Sequence, residues 1–279
     1  MALQLDIICE NTVGCPIPAC GEHGFACLLQ LPSGTWLFDT GGGDSLLRNL
    51  AILGHDVQRI DAVVLSHGHY DHCGGLLPLL KRVGPRPVYA HPQIFKKRFW
   101  QGRHEQRDIS LPYSRDALTA AGAEFRFRET MTELSPELHF SGTIPRISPQ
   151  EVGDPHLVQR SAGDDLWELD TLTDDAALAI ETSKGLVVLL GCAHAGLVNT
   201  VEHFRSQLGR PRIHAIIGGT HLAPAGDEQF AATADYLSRL DFDRLGVSHC
   251  TGQIRSAQLH ARFPKKVFFA NVGTTVTVE

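Results

Sequence analysis

Three histidines and one aspartate stand within six consecutive positions of the chain, at His67, His69, Asp71 and His72. Imidazole nitrogens and carboxylate oxygens together suit zinc, iron or manganese, which lie between the hard and the soft metal ions. His67 and His69 are two positions apart, so they point the same way on an extended backbone and suit one ion. Asp71 and His72 follow the bend and suit a second. The pattern therefore predicts two divalent metal ions, with zinc as the first choice and iron or manganese as alternatives.

The segments around this motif indicate how it is positioned. Residues 62–65 are apolar and predict a short buried strand, and Gly74-Gly75 opens an apolar segment that predicts a helix over residues 76–83. The motif would then occupy the turn at the carboxyl end of a strand. Open α/β sheets bind their ligands at that edge.

Each metal centre needs further ligands from elsewhere in the chain. His194 and His249 both follow apolar, strand-like runs and lie in turns rich in glycine or serine. We expect His194 to complete the first centre and His249 the second. His221 ends a similar run and is either a ligand or a residue that contacts the substrate. Asp39 precedes three glycines, where its carboxylate either accepts the free ring N–H of a ligating histidine or caps the following helix.

The composition limits the class of protein. The chain has 279 residues, is 43% hydrophobic and carries a formal net charge of -6, which is typical of a globular protein and gives no support to a nucleic-acid partner. Residues 1–10 lack the basic and apolar pattern of a secretory signal, and no apolar run reaches the ~20 residues of a membrane span. We therefore expect a cytoplasmic protein with no membrane association. Seven cysteines without a signal sequence favour free thiols over disulfides, although four of them lie between residues 9 and 27 and leave a thiol site open.

The order of predicted elements favours one α/β architecture, since strand, turn and helix recur and several turns after strands carry histidine. Residues 91–170 break this pattern and read as an irregular insertion or cap. Eight arginines between positions 98 and 160 make this part of the chain locally basic. They suggest a small anionic substrate, and Arg146 is the best candidate to bind it.

The histidine motif, with Asp39-Thr40-Gly41 before it, resembles the metallo-β-lactamase superfamily. The resemblance spans nearly the whole chain, because His194 and His249 stand in the order of that family's later ligands. It implies a single domain over residues 1–279 with the four-layer αβ/βα sandwich and a dinuclear metal site at the sheet edges. Five further stretches, at residues 22–25, 141–146, 191–196, 218–222 and 248–252, resemble a narrower group. That group contains archaeal dihydropteroate synthase-type enzymes and proteins known only as metal-dependent hydrolases.

The chain departs from the superfamily pattern at one ligand position. Hydrolytic members have an aspartate that bridges the metals after the strand that corresponds to residues 186–190, whereas this chain has Gly191-Cys192-Ala193-His194. Either Cys192 substitutes for that aspartate, or the site holds one metal tightly, or water alone bridges.

Three functions follow as hypotheses. The first is a metal-dependent hydrolase that cleaves an anionic ester, lactone or phosphoester with activated water, with Asp71 and His221 as catalytic residues. The second is a dihydropterin-condensing transferase, in which the metals bind a pyrophosphate leaving group. The third is a metal-binding or ligand-binding protein without turnover.

Overall fold

The computed structural model describes residues 3–160 and 166–278. Two seven-stranded mixed sheets lie face to face, and helices cover the outer face of each sheet. This arrangement is the four-layer αβ/βα sandwich that the sequence predicts.

The first sheet has the strand order β18-β1-β2-β3-β4-β5-β8, and its strands from β3 to β8 run parallel. Its strands are β1 Leu3–Cys9, β2 Ala26–Leu31, β3 Gly34–Phe38, β4 Ala62–Val64, β5 Arg86–Ala90, β8 Ala123–Phe127 and β18 Thr275–Val278.

The second sheet has the order β17-β16-β15-β14-β13-β10-β9, and the four strands from β14 to β17 run parallel. Its strands are β9 Thr132–Ser135, β10 Leu138–Phe140, β13 Ala177–Thr182, β14 Gly185–Leu190, β15 Ile213–Gly219, β16 Phe242–Ser248 and β17 Val267–Phe269.

The helices lie in the connections between strands. They are α1 Leu46–Ile52, α2 Tyr70–Cys73, α3 Leu76–Val83, α4 Arg115–Ala120, α5 Leu197–Leu208, α6 Asp227–Arg239 and α7 Gln253–Arg262. The predicted helix over residues 76–83 is α3, in which Pro78 stands in the first turn, where its missing N–H costs no hydrogen bond.

Alternation of side chains along the strands separates the core into layers. In β14, Val187 and Leu189 pack between the two sheets, whereas Leu186, Val188 and Leu190 pack against the helices outside. Both faces of the strand are buried, which explains why its sequence is continuously apolar. The buried strands hold the loops at their ends in fixed positions.

The stretch 91–170 is less irregular than its sequence suggests. β8 extends the first sheet, and β9 and β10 extend the second. Charged residues alternate with apolar ones in β8, as suits a strand at the edge of a sheet. This short pattern was not recognised as a strand in the sequence. A third, four-stranded sheet contains the rest of the regular structure, with the strands β6 Arg98–Gln101, β7 Gln106–Asp108, β11 Leu157–Arg160 and β12 Trp167–Leu169.

Among residues 3–160 and 166–278, no helix combines the length and the hydrophobicity that a membrane crossing requires.

Candidate metal centre

The histidines that the sequence singled out lie together at one edge of the two sheets. His67 follows β4, His194 follows β14, His221 follows β15 and His249 follows β16. Asp39 follows β3, which is the neighbour of β4. Because these strands are parallel within each sheet, their carboxyl ends share an edge and the loops that leave them meet there.

Three imidazole rings form the first donor group. Nε2 of His67 lies 3.0 Å from Nδ1 of His69 and 3.3 Å from Nε2 of His194. Ligands placed tetrahedrally about 2.0–2.1 Å from a zinc ion are ~3.3 Å apart, so each of these two separations is compatible with a shared ion. Burial lowers the pKa of all three rings well below the usual value and keeps them in the neutral form that binds metals.

The second donor group contains Asp71, His72 and His249. Nε2 of His72 lies 3.3 Å from Nε2 of His249, and Oδ2 of Asp71 lies 3.3 Å from Nε2 of His249 and 3.8 Å from Nε2 of His72. Burial acts to raise the pKa of Asp71, but the adjacent histidines outweigh it and hold that pKa well below its usual range. The carboxylate is therefore ionised, as a metal ligand must be.

The thiol of Cys192 lies between the two groups. Its sulfur is 3.1 Å from Nε2 of His72. It forms one set of closely spaced donor atoms with His67 and His194 and another with His72 and His249, and within each set all atoms lie within 4.8 Å. Cys192 thus stands where a ligand shared by both centres would stand.

Asp39 lies behind the rings, where its carboxylate contacts His72 directly and His67 through Ser66. Its Oδ2 accepts from Nδ1 of His72 at 2.7 Å and from the hydroxyl of Ser66 at 2.7 Å. Oγ of Ser66 in turn lies 2.8 Å from Nδ1 of His67. With protons on both Nδ1 atoms, the two Nε2 atoms are free to bind a metal. Burial acts to lower the pKa of His72, but the carboxylates of Asp39 and Asp71 raise it to about 9, so in the metal-free protein this ring also holds a proton on Nε2, which a metal ion would displace.

His249 is held by residues far away in the chain. Its Nδ1 lies 2.8 Å from Oδ1 of Asn11, and its backbone N–H donates to Glu10 at 2.6 Å. His23 also reaches the site, since its Nε2 lies 3.3 Å from Oδ2 of Asp71. These contacts leave Nε2 of His249 directed at the second donor group.

A buried ion pair supports the backbone between His67 and His69. Oδ2 of Asp174 accepts from the N–H of Gly68 at 2.9 Å, and both carboxylate oxygens accept from the guanidinium of Arg98. Nε of Arg98 donates to Asp170 at 2.8 Å. Gly68 is required here because a Cβ would lie 2.1 Å from the carbonyl oxygen of Ile94.

Four site residues other than glycine have left-handed backbone conformations. Asp39, Ala193, His221 and His249 have φ values of 58°, 54°, 50° and 49°. Such conformations cost free energy and persist only where surrounding contacts hold them. Their concentration in the loops at this edge is typical of a functional site.

A cleft of about 440 Å³ opens onto both donor groups. The third sheet contributes Trp100, Arg107 and Leu157 to its wall, so this sheet covers the site. The guanidinium of Arg107 stacks 4.3 Å above the ring of Trp100. The cleft therefore combines metal-binding donors with the guanidinium of Arg107.

His221 faces this cleft beside the first donor group. Its ring centre lies 4.2 Å from that of His194, and its Nε2 lies 3.5 Å from Oδ2 of Asp154. Burial acts to lower the pKa of His221, but the neighbouring Asp154 and Cys250 raise it to about 9. A protonated imidazole in this position can donate a proton to a bound molecule.

Arg146 lies away from the cleft. Its guanidinium donates to the backbone carbonyls of Glu151 and Thr171, and among the described residues Arg107, not Arg146, lines the cleft. The sequence places arginines at both positions, and only the path of the third sheet determines which one reaches the site.

The amino-terminal cysteines do not form a cluster with metal-binding spacing within the described residues. Cys9 and Cys27 are buried in separate core layers, and Cys15 is exposed. Burial raises the pKa of the Cys9 and Cys27 thiols well above the usual value, so both are protonated and unreactive.

Several residues of the site lie outside the sequence prediction. Asn11, Ser66, Asp154 and Asp174 carry no local pattern that distinguishes them from loop residues. Signals for two others were present, since His23 and Cys250 stand in stretches that carry the family resemblance. Such residues include Glu10, Asn11, His23, Ser66, Trp100, Asp154, Asp170, Asp174 and Cys250, whereas Arg98 and Arg107 were noted only as two of eight arginines.

The fold and the grouped imidazole, carboxylate and thiol donors define the class as an αβ/βα sandwich with a candidate metal centre. The sequence profile described as "Metallo-beta-lactamase superfamily" matches residues 21–195. The chain therefore belongs to the metallo-β-lactamase superfamily, whose members are mostly metal-dependent enzymes.

Relatives span almost the same length. The chain is 29% identical over 270 residues to the 7,8-dihydropterin-6-methyl-4-(beta-D-ribofuranosyl)-aminobenzene-5'-phosphate synthase of Methanocaldococcus jannaschii, covering 90% of this chain and 88% of the relative. It is similar in structure to Tm1679, described as a metal-dependent hydrolase of the β-lactamase superfamily, with a TM-score of 0.85, 24% identity and 99% of each chain covered. It also resembles Zn(2+)-bound PqqB from Methylobacterium extorquens, with a TM-score of 0.57, 14% identity, and 98% of this chain and 99% of that one covered. The two structures support the fold.

Proposed function

We propose that the protein is a metal-dependent hydrolase that acts on a small anionic ester, lactone or phosphoester. One observation carries the proposal: donor side chains from separate strand ends converge in two adjacent groups at the floor of one cleft. The seven donors are His67, His69, Asp71, His72, Cys192, His194 and His249.

The donor set suits two divalent ions, with zinc as the first choice. His67, His69 and His194 would hold one ion, and Asp71, His72 and His249 the other, with Cys192 shared between them. Imidazole, carboxylate and thiolate are the ligands zinc takes in proteins. When bound, two such ions lower the pKa of water toward neutrality and neutralise an anionic substrate.

The chain's own residues would supply the remaining steps. The Asp71 carboxylate lines the cleft and can accept a hydrogen bond from the attacking water. His221, paired with Asp154, can donate a proton to the leaving oxygen. Arg107 at the cleft wall can bind the substrate's negative charge.

The proposal is tested with panels of chromogenic esters, lactones and phosphodiesters. We expect turnover that chelation abolishes and zinc restores. His67→Ala and Asp71→Ala should each lower kcat/KM by about 100-fold or more, because several kcal/mol of transition-state stabilisation is lost. His104→Ala and Asp44→Ala, at exposed positions, are the matched controls. Full turnover by either site variant would refute the proposal.

The similarity to the archaeal synthase favours a second candidate, a transferase that condenses a dihydropterin with an aminobenzoate-type acceptor. In this case the site would bind a diphosphate leaving group, and Arg107 would contribute to its binding. Incubation with a dihydropterin diphosphate and a range of acceptors tests this candidate. A condensed product would support it, and absence of any product with the metal-loaded protein would count against it.

A further inference from the structure

Two cysteines meet at the floor of the cleft. Cys192 follows β14 and Cys250 follows β16, and β15 lies between these strands. The Cys250 sulfur lies 3.4 Å from the carbonyl oxygen of Cys192, and the two sulfur atoms lie within 4.8 Å of one another. Gly219 at the end of β15 makes this approach possible, because a Cβ there would lie 2.6 Å from the Cys250 sulfur.

The two sulfurs differ in their surroundings. Cys192 is buried beside His72 and stands between the donor groups. Cys250 is more exposed, and its sulfur also accepts from the N–H of His221 at 3.2 Å. Because both cysteines line the cleft, a small molecule that enters it reaches this pair.

We infer that Cys192 and Cys250 form a reversible disulfide that competes with metal binding. This inference rests on the proposed function, in which the Cys192 thiolate is a ligand shared by two metal ions. A sulfur in a disulfide is no longer a thiolate and no longer a strong ligand. The oxidised protein would therefore bind metal less well, and bound metal would protect the pair from oxidation.

The reaction with hydrogen peroxide balances in two steps. The Cys250 thiol attacks one peroxide oxygen and breaks the O–O bond, giving a sulfenic acid and water, which takes the thiol proton. The Cys192 thiol then attacks the Cys250 sulfur, breaks the S–O bond and releases a second water with its own proton. The two thiols lose two electrons, and one peroxide becomes two waters.

To test this inference, chelator-treated protein and zinc-loaded protein are treated in parallel with hydrogen peroxide. Free thiols are then alkylated, peptides are mapped by mass spectrometry, and zinc binding is measured. In the metal-free protein we expect a peptide linked through Cys192 and Cys250, together with reduced zinc binding. Dithiothreitol should then remove the link and restore zinc binding. Zinc-loaded protein should form the link about tenfold or more slowly, because its thiolate is engaged.

Cys250→Ser is the informative variant, since it leaves Cys192 in place. It should form no such link and should retain more of its zinc binding after the same treatment. Cys15→Ser should behave as the protein without substitutions does. Absence of the link in metal-free protein would overturn the inference, as would equal linkage in loaded protein that retains its zinc. If untreated protein binds no zinc, the proposed function and the competition both fail, and the peptide map still decides whether the disulfide forms.

Discussion

The sulfur of Cys192 lies 3.1 Å from Nε2 of His72, at the place where superfamily hydrolases are expected to carry a bridging aspartate. The same sulfur neighbours His67 and His194 of the other donor group. Burial holds the pKa of the Cys192 thiol well above its usual value, so a metal ion would have to displace its proton. We propose that the resulting thiolate would serve both ions as a shared anionic ligand of a different chemical type. Thiolate is softer than carboxylate, and this favours zinc over manganese.

Replacing this sulfur should weaken the site. Cys192→Ala should lower zinc affinity by about tenfold or more, because mutation of residues that only hydrogen-bond to the ligands already lowers metal affinity by about 10–100-fold. Cys192→Asp should restore much of the loss, because a carboxylate can also be shared between two ions. Zinc titration against a chromogenic chelator measures both variants, with Cys15→Ala as the control. Unchanged affinity in Cys192→Ala would show that the thiol is not a ligand.

Asp39 should matter through the ring that it orients. Asp39→Asn keeps the shape but removes the anionic acceptor for Nδ1 of His72, and we expect zinc affinity to fall by about 10–100-fold. Asp44→Asn, at an exposed position five residues away, should leave the affinity unchanged. Equal zinc affinities in the two variants would show that Asp39 supports only the local backbone and does not affect metal binding.

The Arg98–Asp174 pair should be important for stability as well as for the site. Arg98→Ala leaves Asp174 buried without its partner, and breaking such a pair costs about 3–5 kcal/mol of unfolding free energy. The adjacent Lys97 pairs with Asp108 at the surface, and Lys97→Ala should cost ~0–1 kcal/mol. Denaturant unfolding of the metal-free variants compares the two directly. Similar losses in both would contradict a structural role for the buried pair.

Gly68 should tolerate no side chain. Gly68→Ala forces the loop away from the carbonyl of Ile94 and should cost roughly 1–3 kcal/mol while separating His67 from His69. Gly226→Ala meets open space and should cost less, at about 1 kcal/mol or below, which is the loss of a favoured residue at the N-cap of α6. Thermal unfolding and zinc titration together test this, and full zinc affinity in Gly68→Ala would contradict it.

Arg107 should determine the affinity for an anionic substrate. Arg107→Ala should raise KM by about tenfold at little cost in kcat, which corresponds to ~1.4 kcal/mol of binding. Arg146→Ala is the matched control, because its guanidinium binds backbone carbonyls outside the cleft. Steady-state kinetics on the same substrate measure both, and a larger KM effect from Arg146 would reverse the assignment.

The local sequence was enough to predict the elements in which pattern and burial agree. The helix Leu76–Val83 has the predicted bounds, and the strands that end near His67 and His194 are apolar because both faces are buried. The strand before His249 carries Asp243 and Arg244 in its first half and is fully buried only from Leu245 onward. Parallel strands then bring their carboxyl ends together, which is why ligands from distant positions could be proposed. The four-layer fold followed from the family resemblance and is confirmed.

Other features depend on contacts that no local pattern records. Asn11 meets His249 across 238 positions, and Asp174 meets Arg98 across 76. The third sheet places Arg107 at the cleft, whereas the guanidinium of Arg146 donates to the backbone carbonyls of Glu151 and Thr171. Such pairings depend on how the chain folds over long separations, and the composition of residues 91–170 alone could not distinguish one arginine from another.

We expect two adjacent ions at this edge of the sheets. Elemental analysis of the purified protein, together with anomalous diffraction from its crystals, should find two ions per chain. One ion should lie among His67, His69 and His194 and the other among Asp71, His72 and His249, with the Cys192 sulfur in contact with both. A protein that binds no ion, or that binds ions only away from these residues, would contradict this expectation.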